Sequence, residues 1–134
     1  MTKLEDIEGI GPAYAEKLRG AGISSVEALL KAGATPAGRK EVAAKSGLSD
    51  GKVLEWVNHA DLFRIKGVAE EYADLLEEAG VDTVVELSNR NPTNLYTALS
   101  STNASKKLVR KLPTEAQVTD WVAQAKNLPR TVSD

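Results

Sequence analysis

Two glycines flank one aliphatic residue at Gly9-Ile10-Gly11, and Pro12 follows them. This spacing suits recognition of an anion by the backbone. Glycine admits left-handed angles and lets a ligand come close to the chain. Pro12 has its φ already set for a first helical turn, and it lacks an N–H that would have no partner there. The N–H groups around Ala13 carry the positive end of the helix dipole, and a phosphate fits such a place. Lys17 and Arg19 are the nearby cations, while Glu5, Asp6 and Glu8 stand where they would repel an incoming phosphate. The same residues equally suit a turn that only packs two helices, with Ile10 as the plug into the core beneath it.

The densest cation cluster is Lys106, Lys107, Arg110 and Lys111. Lys106 and Arg110, and Lys107 and Lys111, are four apart, so on a helix all four line one side while Leu108, Val109 and Leu112 face inward. Each phosphate neutralised on duplex DNA adds about 0.9 to the salt slope. An ordinary exposed helix face is the simpler reading. A third option is a partner in the stretch Glu70–Glu86 of a neighbouring molecule, which holds seven acidic residues and no basic one.

Other chemistry is thin. The chain has no cysteine and one histidine, His59, so it offers no thiolate and no histidine pair for a metal. His59 is expected at the surface or at a boundary. No Ser or Asp spacing points to a triad, and no glycine-rich phosphate loop carries a lysine. The expectation is no enzyme, no cofactor, no metal and no small-molecule substrate. Trp56 and Trp121 sit among apolar neighbours and are expected to pack in the core, and the repeated Tyr14 and Tyr72 are expected to pack or to hydrogen-bond a helix end.

The elements that position these residues read as helices. Leu4 and Ile7 share a face of a short first helix, with Thr2 and Glu5 as its capping box. Pro12 to Ala21 forms the next helix with Ala15 and Leu18 inward, and Gly22 closes it. Ser24 and Glu27 form another capping box before Val26, Leu29 and Leu30, and Gly33 ends that helix. Thr35-Pro36 opens a helix lined by Val42, Ala43 and Leu48. Ser49 and Asp50 open one with Val53, Leu54, Trp56 and Val57, running towards Leu62 and Phe63. Pro113 and Thr114, with Gln117, open the last. No segment alternates with period two, so no strand is expected.

The opening pattern then returns. The shift that carries Gly9 onto Gly67, 58 residues, also pairs Ile7 with Ile65, Tyr14 with Tyr72, Ala15 with Ala73 and Leu18 with Leu76. It pairs Gly22 with Gly80, Val26 with Val84 and Leu29 with Leu87, and Thr35-Pro36 is echoed by Asn91-Pro92. Trp56, Val57 and Ala60 match Trp121, Val122 and Ala125 at a shift of 65, so the second copy carries seven extra residues. They are expected as a polar loop around Ser100–Asn103. Helical repeats of this kind bury a shared apolar face. The second turn has Ala69 in place of the second glycine, and Glu70 and Glu71 occupy the first turn of its helix, where an anion would otherwise sit.

Leu4, Ile7, Gly9-Ile10-Gly11, Ala15 and Leu18 resemble the helix-hairpin-helix pattern at every defining position. The longer string through Ala21-Gly22-Ile23 and Val26 resembles a bacterial domain-of-unknown-function family built on duplicated hairpins. The resemblance implies a module that grips the nucleic-acid backbone without reading bases, and it permits a carbonyl site for a monovalent cation. DNA-binding relatives often carry lysine just after the proline, where this chain has Ala13.

At 134 residues with a formal charge of −2 and a pI of about 5.5, the chain lacks the basic excess of a dedicated DNA binder. No apolar run reaches membrane-spanning length and no leader segment is evident, so a cytoplasmic protein without a membrane partner is expected. The expected architecture is all-α, a SAM- or helix-hairpin-helix-like array of about ten short helices. It divides into pseudo-repeated units at 1–63 and 64–129 with a frayed tail at 130–134, together forming one compact domain. The expected role is weak, sequence-independent binding of a DNA or RNA backbone through Gly9, Ile10, Gly11, Pro12 and Ala13, with charge from Lys17, Arg19 and the Lys106–Lys111 run. The alternative is a protein–protein adaptor or assembly factor, self-association included, that uses the hairpins as docking surfaces.

Overall fold

The computed structural model describes residues 2–133, and the fold over them is all-α. A single 3₁₀ turn, Leu4–Asp6, precedes eight α-helices. These are α1 (Pro12–Gly20), α2 (Val26–Ala32), α3 (Pro36–Ser46), α4 (Asp50–Leu62), α5 (Glu70–Glu78), α6 (Val84–Ser88), α7 (Pro92–Lys106) and α8 (Glu115–Lys126). The expected ten helices are therefore eight and one 3₁₀ turn among the described residues. No helix is long and apolar enough to cross a membrane.

Two compact units divide the chain. One takes it as far as Asp61 and takes it up again from Thr131; the other is Leu62–Arg130. In the first unit α1 packs on α3 and on the 3₁₀ turn, and α2 packs on α3. Leu4, Leu18, Leu29, Val53, Trp56 and Val57 are almost wholly buried. Each fully buried side chain of this size is worth about 1.5–3 kcal/mol. Gly38 lets α2 and α3 come together, because a Cβ there would overlap the Ala32 carbonyl oxygen. In the second unit α6 and α7 pack on α8, and α5 packs on α7. Its core holds Leu62, Ile65, Leu75, Leu76, Leu87, Leu95, Leu99 and Trp121.

Several helix starts follow their local sequence. Thr35, Asn91 and Thr114 each accept a hydrogen bond from the backbone N–H three residues on, and Thr114 and Gln117 form a full capping box. Two expected capping boxes are absent. Thr2 instead gives its amide and hydroxyl hydrogens to the Glu27 carboxylate, at 2.9 and 2.8 Å, and Glu5 takes the Arg19 guanidinium. The cap of α2 is Ser25 rather than Ser24. Leu54, on α4 beside the buried Val53, is 41% exposed.

The expected frayed tail is docked on the first unit. Val132 is buried, and the Ser133 N–H donates to the Ala34 carbonyl at 2.8 Å. The buried Arg39 guanidinium donates to the Gly33, Ala34 and Ser133 carbonyls. An arginine fork satisfies several carbonyls at once, and this explains how it is tolerated inside. Asp134, the last residue of the expected tail, lies outside the described residues.

Candidate nucleic-acid interface

The first turn has the geometry its glycines anticipate. Gly9 takes φ +92°, a left-handed angle that strains any side chain. Ile10 is buried and its N–H donates to the Ile7 carbonyl at 3.1 Å. Gly11 is the N-cap of α1 and contributes no side-chain cap, and Pro12 follows at N1. The first intrahelical bond from this end runs from Ala15 N–H to Gly11 C=O at 3.0 Å. The N–H groups of Ala13 and Tyr14 therefore stand ahead of the helical ladder. Gly9, Gly11, Pro12 and Ala13 are all exposed.

The surrounding charge differs from the expected set. Lys17 is exposed near the end of α1. Arg19 is held by Glu5 at 2.9 and 3.0 Å, and this bond holds the Glu5 carboxyl below its ordinary pKa. Arg19 is thus engaged, and one of the three carboxylates nearest the turn is neutralised with it. Lys52 on α4 supplies a cation that spacing alone did not single out. Its ammonium lies 5.1 Å from the Tyr14 ring centroid and 5.8 Å from that of Trp56. The available signal was that Lys52 and Trp56 are four apart, and so share a helix face.

The second turn repeats the backbone and not the surroundings. Gly67 takes φ +95°, Val68 N–H donates to Ile65 C=O, and Ala73 N–H donates to Ala69 C=O. Tyr72 lies 5.3 Å from Trp121 at 51°, as Tyr14 lies 5.1 Å from Trp56 at 57°. Both tryptophans are buried as expected, and each half-buried tyrosine packs against one of them. Glu70 and Glu71 occupy the first turn of α5. Gln124 clamps this turn through the N–H and C=O of Lys66, at 2.8 and 3.0 Å.

The basic run is not a helix face. Ser100–Asn103, expected as a loop, lies inside α7, and Lys106 is the last helical residue. Lys107 is left-handed at φ 53°, and the chain is irregular from there to Thr114. Lys106 binds Glu78 at 2.6 Å, so the acidic stretch meets its cation within the same chain. Lys107, Arg110 and Lys111 are exposed, whereas Val109 is buried. His59, expected at the surface or at a boundary, is instead 2% exposed near the end of α4.

A family described as "Domain of unknown function (DUF4332)" matches residues 8–128. The chain belongs to this family. In this DUF4332 chain the match takes in Gly9 and Gly67, all eight α-helices and the Lys106–Lys111 run. No solved structure matches the chain. Among the described residues no group of three or more His, Asp or Glu is placed to hold a metal ion.

Proposed function

We propose that the protein is a non-catalytic binding module that holds a nucleic-acid backbone weakly, and without sequence preference, at the first turn. The two glycine turns are read as helix-hairpin-helix units descended from one duplicated ancestor, of which the first keeps an open seat. The observation that carries this reading is the exposed start of α1, where Gly9, Gly11, Pro12 and Ala13 face solvent and no side chain caps the helix. Backbone donors and a helix dipole bind phosphate without reading bases, which suits a sequence-independent grip. A chain of net charge −2 binds weakly by this means. An adaptor role has less support, because Leu54 is the one large apolar side chain well exposed among the described residues.

Fluorescence anisotropy of labelled duplex and single-stranded DNA and RNA at low and moderate salt tests the reading. Absence of binding at low salt removes it. The decisive variant is Ala13→Glu, which imports the residue that the second turn carries at the matching place, Glu71. A carboxylate there stabilises the helix dipole by about 0.3–1 kcal/mol, so the fold persists while the anion seat is filled. Binding is expected to weaken in the variant by the share that the first turn supplies. Unchanged binding by this variant would move the site elsewhere.

A further inference from the structure

The seven residues that the second half has gained relative to the first do not make a loose loop. They lengthen the path between α6 and α8, and the irregular segment after α7 is pinned at four backbone groups. Lys107 N–H donates to the Asn103 carbonyl at 2.8 Å. The Asn103 carboxamide then acts on Val109 as a second peptide group would, accepting from its N–H at 3.0 Å and donating to its carbonyl at 3.2 Å. The Tyr72 hydroxyl donates to the Lys111 carbonyl at 3.0 Å. Val109 is buried, and Leu108 and Leu112 pack on the core of the second unit. With its apolar side chains turned in, the segment presents Lys107, Arg110 and Lys111 to solvent, and these three side chains make no ion pair among the described residues.

We infer that this pinned segment, Lys107 to Lys111, is a second and separate phosphodiester-backbone site, and that duplex nucleic acid is its partner. A fixed backbone has already lost the conformational freedom that a mobile basic loop would lose on binding. Three free cations along five residues match a dense row of phosphates better than a single anion. The segment carries no aromatic residue on which an unpaired base would stack, and this favours duplex over single strand. Tyr72 has a different job from its counterpart. Tyr14 lies beneath the Lys52 ammonium, whereas Tyr72, tilted against Trp121, uses its hydroxyl to hold the basic segment. The second unit thus presents cations from the segment after α7, while its own turn carries Glu70 and Glu71. The inference shares its partner class with the reading of the first turn and uses none of its residues.

The test is anisotropy of the full chain on a labelled 20-base-pair duplex across about 50–200 mM salt, with three variants beside the parent. In Lys107→Gln/Arg110→Gln/Lys111→Gln the salt slope is expected to fall by about 2.7, so that an extra loss of about 40-fold between those salt concentrations disappears. Asn103→Ala keeps every charge and releases the clamp, and is expected to weaken duplex binding while circular dichroism shows the helices intact. Ala13→Glu is expected to leave the loop's share of the slope in place. A triple variant with the parent's affinity and slope overturns the inference, and if Ala13→Glu abolishes binding in the same series the first-turn reading stands without it. Tighter binding of the single strand, or equal binding of polyglutamate at matched charge, also overturns it. Should the parent bind no nucleic acid at low salt, both readings fall together.

Discussion

Gly9 and Gly67 take nearly the same left-handed angle, yet the space behind them differs. A Cβ at Gly9 would meet the Trp56 indole nitrogen at 3.5 Å, an ordinary contact, whereas at Gly67 it would meet that of Trp121 at 3.1 Å. A left-handed L-residue costs about 1–2 kcal/mol in either place. Gly67→Ala is expected to cost more than Gly9→Ala by the displacement of the indole, and urea unfolding of the two variants checks the order. Single carboxylates also set the response to acid. The Arg19 hydrogen bond holds the Glu5 carboxyl below its usual value. Partial desolvation pushes Glu27 up, but the hydrogen bonds from the Thr2 amide and hydroxyl outweigh it and the net shift is downward. Groups lowered in the folded state contribute stability above their unfolded pKa, and that contribution is lost as pH falls through the folded value. Both therefore stabilise the protein at neutral pH and lose their effect below about pH 4.5, the ordinary value for the group. A Glu5→Gln/Glu27→Gln variant is expected to be less stable at pH 7 and to lose less stability between about pH 5 and pH 3.

Whole helices meet where the sequence leaves room. Gly38 sits in the first turn of α3 against the α2 backbone, and Gly38→Ala is expected to push the two helices apart at a cost of about 1–3 kcal/mol. Chemical denaturation measures this cost, and unchanged stability would show that the α2–α3 contact yields easily. The elements most legible from sequence were those decided within three or four residues. Thr35, Asn91 and Thr114 cap their helices by bonds three residues long, and the Tyr–Trp pairs recur because the turns beneath them recur. What stayed hidden depended on distant partners. Glu5 and Glu27 suit local capping boxes, but Arg19, 14 residues away, and Thr2, 25 away, hold them instead. The basic run has helical spacing, yet Asn103 and Tyr72 hold it in an irregular path, and Tyr72 is 39 residues from the carbonyl it binds. The backbone of the first turn was readable because glycine and proline act locally. Lys52, on another helix, enters its surroundings only through tertiary packing.

At the scale of the molecule, the chain leaves the first unit after Asp61 and comes back to it at Thr131, so that unit is completed only when the last described residues dock. The seat for this segment is already built into α3 and the loop before it. Arg39 bonds Gly33 and Ala34 from within the unit, and its remaining NH2 hydrogen bond, 2.7 Å long, goes to the Ser133 carbonyl. Val132 fills the adjoining apolar space at 7% exposure. Val132→Asp puts a carboxylate in that space and breaks the docking, at a cost of about 2–4 kcal/mol from lost burial and a lost charge-assisted bond. The effect should be uneven. Amides of α2 and α3 are expected to lose hydrogen-exchange protection, while those of α6 and α8, which belong to the second unit, keep theirs. Equal loss in both units would mean that they unfold as one cooperative block, and the docked segment would then stabilise the whole chain rather than its first half.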